Sequence, residues 1–596
     1  DRGLLRYHVS KRRWVWDEER ISSMDVTGNV LHLLTSQMNG LSEHIQSALK
    51  VSSCFGIQIK ASIVRFLDST SEHSGIGNGM EHSVKEGFMI KVGTSEFKFV
   101  HDKIREAAYC LISESEKKKY HYNLGIILHP MTKMTTHGTD DIIFCITNQI
   151  NYGDEFPEHL LLTTLDLAKL NKKAGIMAMD LSDHATACSY LNRTLKFLPT
   201  DSWKNHYSLS LQSHFQLAKS AYSCGDTEQS YSVLQTILGR SHRLDDKLNS
   251  YLLLATILYN RGQLKDAYAT SHKILSELGE SMPDEFGIEE TMRMMASTAK
   301  MLIGVSEESL LGMKAMESKE EFILKFYSSI SIVAFSINPA MLPFIQCRMV
   351  QLSMANGMSK LSLLGLVQYA AIALQRGCPE TMSGRLQHAC KIGKLAMSVL
   401  RRFPSAIDQM PRLCLVYHGM IATYCEPLHS SVDCLRRGFE CGMAIGDTSS
   451  GLLNALYHIE KLFEAGIHLR TLLKRTEYYL EIARIHNITR HNFLFRMFRD
   501  TVLLLMGREG NTDFEADTHP VAAYHKAIRA FWVGHSERSH RFMEQIVDGI
   551  LPEYRNHRLK VMLLYGLNAL KIRRRIGRLK LKKVPCNALE ILENAA

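Results

Sequence analysis

The chain has 596 residues, too many for a single hydrophobic core, so two or more domains or a repeat array are expected. Apolar residues make up 45% and charged residues 22%, ordinary values for a globular protein, and only 13 prolines in this length favour helix over many-turned sheet. The net charge of +10 is local: the stretch 571–583 holds eight basic residues and no acid, and only +2 remains without it, which argues against a broad basic face for nucleic acid. The 13 cysteines include no CxxC pair, so reduced thiols in a cytoplasmic chain are expected, not a disulfide framework. There is no apolar run of transmembrane length, and no signal peptide is expected within these residues. The first residue is Asp1, within sequence that reads as structured, so the chain is expected to be a fragment.

The first seventy residues read as helices. Within 42–54, Ile45, Leu49 and Ser52 fall on one stripe and Ser42 is placed to cap. A short helix follows at about 60–66, then a loop, 69–79, rich in Ser, Gly and Asn. The glycines of Gly75-Ile-Gly-Asn-Gly79 follow no strand, and a flexible loop is expected there instead of a phosphate cradle. Phe88–Val92 and Phe97–Val100 flank Gly93–Glu96, the pattern of a hairpin. Ile104, Ala107, Ala108 and Leu111 then share one helical face. Two helices, a hairpin wing and a further helix predict a winged-helix domain over 36–130.

From about 140 the pattern is helical almost throughout. Gly225 and Gly262 lie 37 residues apart, each six residues before a tyrosine, Tyr231 or Tyr268. Leu217–Tyr222 and Leu254–Tyr259 repeat at the same interval, and 182–190 reads as a degenerate earlier copy. This is the period of tetratricopeptide-like helix pairs, in which neither helix buries its apolar stripe until neighbours stack. The fold class expected is therefore mainly α: a small winged-helix domain, then tetratricopeptide-like repeats over 140–283 and a further solenoid over 284–570. Turns near Gly377, Gly446-Asp447, Gly466 and Gly534 mark looser pairs, 336–343 is expected to interrupt the array, and 571–596 forms a basic tail. That tail reads as a solvated end in preference to a lipid, nucleic-acid or nuclear-targeting segment, because no aromatic residues are interleaved for base stacking.

The run Phe97-Lys-Phe-Val-His-Asp-Lys-Ile-Arg-Glu-Ala-Ala-Tyr109, followed by Leu111-Ile112 and Lys119–Gly125, resembles a segment of large multidomain STAND/AAA signalling ATPases. In that family a Ser/Thr-kinase-like domain, an ATPase, a winged helix, helical repeats, a GAF domain and a histidine kinase are often fused. Arg13–Asp17 and Asn29–Leu34 look like the tail of the ATPase region, giving 1–35 that assignment, and Pro199, Ser202, Trp203 and Tyr207 are similar to the family's repeats. Weaker similarity runs through 361–485. The resemblance covers most of the chain; its specific part is the His-Asp motif. The loop G-x-x-x-x-G-K-[ST] occurs nowhere in the sequence, nor do kinase motifs, so no catalytic residue is expected in this chain, and ATP or ADP belongs to a parent protein if to anything.

The resemblance implies that His101, with Asp102, contacts the β-phosphate of ADP held by an upstream core; an imidazole N–H suits a phosphate oxygen. The plain alternative has Asp102 capping a helix that starts at Lys103 and His101 closing the wing. Arg105, one turn on, shares that surface or is simply exposed. His242–Asn249 superficially resembles a kinase catalytic loop, but its spacing is wrong, and a loop between repeat helices is expected. His486/His491 and His535/His540 are five residues apart, off the i, i+4 spacing of two ligands on one helix face, so no metal site is expected. The cysteines read as small core residues. The function expected is a regulatory and protein-interaction module whose partner is another protein or other domains of the same parent. The rival expectations are a fragment of an ATP-dependent protein kinase or sensor histidine kinase, and a transcription regulator, which needs a basic recognition helix.

Overall fold

The computed structural model describes residues 5–8, 13–16, 30–134, 140–153, 162–283, 285–376, 382–402, 404–486, 488–508, 520–548, 564–568 and 571. Contacts divide the chain into two compact units, Asp1–Met177 with Arg193–Pro199, and Ala178–Asn192 with Thr200–Ala596. No helix among the described residues is long and apolar enough to cross a membrane.

The first unit opens on an antiparallel hairpin, β1 (Leu5–His8) and β2 (Arg13–Trp16), with Leu5 opposite Trp16; the rest of the expected ATPase tail up to residue 29 lies outside the described residues. Helices α1 (Val30–Asn39) and α2 (Glu43–Ser53) follow. Ile45, Leu49 and Ser52 are buried along one face of α2, and Ser42 holds the N-cap position without a side-chain bond. Next come β3 (Gln58–Lys60), α3 (Ala61–Asp68), α4 (Ile76–Lys85), β4 (Met89–Val92) and β5 (Glu96–Phe99). The three strands form one antiparallel sheet in the order β3–β5–β4. In β5, Phe97 and Phe99 are buried while Glu96 and Lys98 are not, the alternation of a half-buried strand.

Two features differ from the sequence reading. The hairpin gains a third strand, β3, whose three residues are too few for a period-two signal. The loop expected through Gly79 ends at Gly75, whose positive φ of 86° starts α4. A Cβ on Gly79 would come within 2.9 Å of the Ala48 methyl and against the His44 carbonyl, so this glycine lets α4 lie close on α2 and provides no flexibility.

Helices α5 (Asp102–Tyr109), α6 (Glu114–Leu128), α7 (Met131–Met134), α8 (Asp140–Tyr152) and α9 (Thr164–Asp180) follow. A polar chain ties α5, α6 and α8 to the end of α2. Gln149 Nε2 donates to the Cys54 carbonyl at 2.8 Å, so its Oε1 accepts from His121 Nδ1 at 2.5 Å. That leaves His121 Nε2 to accept from the Tyr109 hydroxyl at 2.9 Å. Burial pushes the His121 pKa down, which suits a neutral ring that donates once and accepts once.

The second unit is a mainly α-helical solenoid. The division between units passes through α9 and α10 (His184–Phe197). After α11 (Ser202–Asn205), two equal pairs follow: α12 (Tyr207–Ser223) with α13 (Thr227–Arg240), and α14 (Leu244–Asn260) with α15 (Leu264–Glu277), 17 and 14 residues each time. Gly225 and Gly262 take φ of 84° and 77°, and the N–H groups of Asp226 and Gln263 return to the carbonyls of Ala221 and Leu258. This left-handed turn ends one helix and reverses the chain within three residues. In the degenerate copy Ser182 takes the same role, with φ of 62°. The kinase-like segment is mostly helix, not loop: α14 starts at Leu244, so only 241–243 lie between helices. Asp245 and Asp246 sit in its first turn, where the helix dipole favours acids, and Tyr207 Oη donates to Asp246 at 2.8 Å.

The array then becomes irregular: α16 (Ile288–Met301), α17 (Glu307–Leu311), α18 (Ser318–Ile337), α19 (Leu342–Asn356), α20 (Lys360–Arg376), α21 (Met382–Arg402) and, after a 3₁₀ turn at Pro404–Gln409, α22 (Met410–Val416). At the interruption expected near 336–343, Asn338 caps a 3₁₀ turn and α19 continues beyond it. Regular pairs resume with α23 (Leu428–Ile445), α24 (Thr448–Glu464), α25 (Leu469–Ile485), α26 (Thr489–Leu505), α27 (Pro520–Trp532) and α28 (Ser536–Asp548). Gly446, Gly466 and Gly534 have positive φ at their turns; Gly377 lies outside the described residues, as does the basic run 571–583 beyond Lys571.

Candidate functional site

The chain leaves β5 extended and turns at His101 (φ −150°, ψ 149°), which is the N-cap of α5: its Nδ1 accepts from the Lys103 backbone N–H at 3.1 Å. The cap is therefore His101 and not Asp102, which is the first helical residue, where its charge favours the positive helix end. Both side chains are exposed. An Nδ1 that accepts keeps the neutral ring's proton on Nε2, so the imidazole presents an outward N–H donor in a fixed direction. Lys103 pairs with Glu106 at 2.7 Å, and Arg105 is half-exposed.

A second arrangement lies elsewhere, within the second unit. A cavity of about 450 Å³ is walled by α12, α14, α18, α20, the 3₁₀ turn before α22, α22 itself and the turn into α24. Its volume falls in the range of small-ligand sites. Phe215, Leu252, Tyr259, Ile332, Leu364 and Leu415 supply apolar wall, and Lys219, Lys325, Lys360 and Arg412 supply cations against the carboxylates of Asp408 and Asp447. Arg412 Nε donates to Asp447 Oδ2 at 3.1 Å and Nη1 to Ser328 Oγ at 3.2 Å. Lys360 pairs with Asp408. The other Asp447 oxygen accepts from the Ser450 N–H, capping α24. Tyr222 is buried behind this pair; its hydroxyl accepts from Asn260 Nδ2 at 2.7 Å, and burial raises its pKa.

Ser223, Gly446 and Ser449 of the cavity wall belong to a set of contacts between parts of the chain far apart in sequence. Ser182 Oγ donates to the Ala444 carbonyl at 2.6 Å, and Ser449 Oγ reaches Asn260 Oδ1 at 3.4 Å. Gly446, with φ of 81°, passes so close to Ser223 that a Cβ would strike its hydroxyl, and that Cβ would also lie 3.5 Å from His184 Nε2. A Cβ on Gly225 would lie 3.2 Å from the backbone of Ile485 and His486. Neither ring nitrogen of His184, nor Nδ1 of His486, has a hydrogen-bond partner, and burial lowers the pKa of both. The turns of the first helix pairs thus meet the turns of the later ones through small residues and neutral imidazoles.

Sequence reasoning named His101 and Asp102, which the structure leaves side by side on the surface of the first unit, and it missed every cation of the cavity. Those four residues come from four separate segments and form no motif. The one available signal was Gly446-Asp447, which repeats the Gly225-Asp226 turn.

No known-family profile matches the chain. It is 21% identical over 301 residues to the hybrid signal transduction histidine kinase G of Dictyostelium discoideum, a match covering 41% of this chain and 9% of that protein. The chain therefore spans less than a tenth of that relative's length. Among solved structures it is similar to a STAND (signal transduction ATPase with numerous domains) protein with a tetratricopeptide repeat sensor from Pyrococcus horikoshii, at 12% identity, covering 78% of this chain and 67% of that one. The TM-score of 0.26 is too low to equate the two folds.

Proposed function

We propose that this chain is a regulatory and protein-interaction module of a signalling protein, in which the solenoid receives a ligand and the first unit relays the result to a nucleotide-binding core. The observation that carries this reading is the cavity, walled by the first and the later repeats alike and adjoining contacts that join them: a ligand that fills it bears on those contacts and so shifts the balance of closed and open solenoid. The helix–strand–helix–helix–strand–strand order of 43–99 supports reading the first unit as a winged helix, with 36–130 as the relay and 140–570 as the sensing array. The relative named as a signal transduction histidine kinase supports a place in signalling, and it equally favours a second reading in which this module regulates a kinase. A DNA-reading role draws less support, because Lys103 on α5 is already paired with Glu106. Catalysis, ATP and ADP are assigned to other parts of such a parent, with the chain acting in the cytoplasm through other proteins or neighbouring domains.

His101 is the proposed contact to ADP, its Nε2–H donating to a phosphate oxygen. In the longer protein, His101→Ala is expected to weaken ADP about tenfold, the order of one charge-assisted hydrogen bond. Equal ADP dissociation constants for wild type and variant, measured by calorimetry, would remove the nucleotide contact from this reading.

A further inference from the structure

We infer that the cavity of the second unit takes a small amphiphilic organic anion: a carboxylate, sulfonate or phosphate ester on an apolar body, with its charged end at Arg412. The inference rests on the reading of the cavity as a ligand site and adds the chemical class.

The argument starts from charge. Four cationic side chains and two carboxylates line the wall, and each carboxylate already faces a cation, Asp408 Oδ2 with Lys360 and Asp447 with Arg412, while Asp408 Oδ1 has no hydrogen-bond partner. Lys219 pairs with no carboxylate among the described residues. Among the described residues Lys325 pairs with the carboxylate of Glu321, one turn back on its own helix at 3.4 Å, and lies 4.4 Å from the Phe322 ring centre. Positive charge therefore exceeds negative on a wall whose remaining surface is largely apolar, where counter-charge matters more than in open water.

The excess has a location. Arg412 is held from two sides, by Asp447 and by Ser328, which uses two of its five N–H donors and leaves Nη2 uncommitted. Ser328 is one turn from Lys325 on α18, and Tyr222, beside the Arg412–Asp447 pair, is one turn from Lys219 on α12. The two lysines, on α12 and α18, thus share the cavity wall with a clamped guanidinium. A planar guanidinium fixed in this way matches an oxyanion bidentately, with the lysines adding longer-range attraction. Phe215, one turn from Lys219, together with Leu252 and Ile332 offers apolar surface to the body of the ligand. The volume of about 450 Å³ suits a small molecule over a folded segment.

Two dyes that differ only in the charged group test this: 1-anilinonaphthalene-8-sulfonate and the neutral N-phenyl-1-naphthylamine. Both are titrated by fluorescence into the full chain, into the Lys219→Glu/Lys325→Glu variant, and into Thr256→Trp, which fills the cavity from α14. The expected result is one anionic dye per chain, bound at least tenfold more tightly than the neutral dye. The difference should collapse in the charge-reversed variant, with both dyes lost in Thr256→Trp. Equal binding of the two dyes, both lost in Thr256→Trp, overturns the anion class and leaves the cavity as a ligand site. Dye binding that survives Thr256→Trp overturns the cavity reading as well. Both lysines reach solvent, so the charge-reversed variant is expected to fold; its ratio of the two affinities decides the class even if Thr256→Trp proves unstable.

Discussion

At the residue scale, Gly225 and Gly262 occupy the same position of two equal repeats with nearly the same φ, yet their surroundings differ. A Cβ on Gly262 meets nothing within 4 Å, whereas one on Gly225 presses on the backbone of Ile485 and His486. Gly262→Ala should therefore cost only the left-handed backbone penalty, about 1–2 kcal/mol. Gly225→Ala should cost that and about 1 kcal/mol more, because backbone atoms cannot rotate aside. Urea unfolding of the two variants measures the difference, and equal losses would mean that the closure carries little stability. Three histidines make a second prediction. His418, His458 and His525 are all nearly inaccessible, and burial pushes each pKa from 6.5 down to about 4. Unfolded imidazoles take up protons near pH 6.5, which these do only near pH 4, so the unfolded chain holds more protons in between. Stability is fully present above about pH 6.5 and falls as pH drops towards 4, by on the order of 3 kcal/mol for each histidine. His458→Gln, which keeps a hydrogen-bonding group for the Tyr479 hydroxyl now 2.9 Å from Nδ1, should flatten the pH dependence of the urea midpoint by the share of one histidine, about a third of what these three contribute together.

At the scale of elements, turn chemistry explains why some pairs are well formed. Asp226 Oδ1 accepts from the Gln229 N–H at 2.9 Å and caps α13, and Asp447 caps α24 in the same way. Gln263, at the equivalent place before α15, makes no such bond. Asp226→Ala should cost about 1 kcal/mol, and Gln263→Asp should restore the cap and gain a comparable amount, read as opposite shifts in the thermal midpoint. These pairs were visible in the sequence because the signals are local: a glycine, a cap and an apolar stripe within one 37-residue stretch. The strand β3 was not, since three residues gain their conformation by pairing with β5 and not from their own pattern. The Gly75–Gly79 stretch reads as a loop by composition, yet it opens a helix because Gly79 must lie against α2. His101 was found through its neighbours in the motif, but its role as the cap depends on the extended backbone at the end of β5.

At the scale of the whole molecule, closure of the solenoid places His184, with Lys219 and Asp183 around it, near His486. Both rings are neutral in the closed form, so closure is favoured above the ordinary imidazole pKa and weakens as pH falls through it. Hydrogen exchange at 181–187 and 444–449, corrected for intrinsic rates, should rise between pH 7.5 and 5.5 ahead of global unfolding; unchanged protection there would rule out this sensitivity. The sequence by itself determined the helical character, the hairpin after α4 and the repeat from α12 to α15, because each follows from periodicity and turn residues within a few dozen positions. Only the tertiary structure decided the cavity, its cations and the contacts between early and late turns of the solenoid. Ser182 and Ala444 are 262 residues apart, and their meeting depends on small rotations between successive helix pairs summed along the array. No local pattern encodes such a sum, so the residues on which a ligand would act bear no motif.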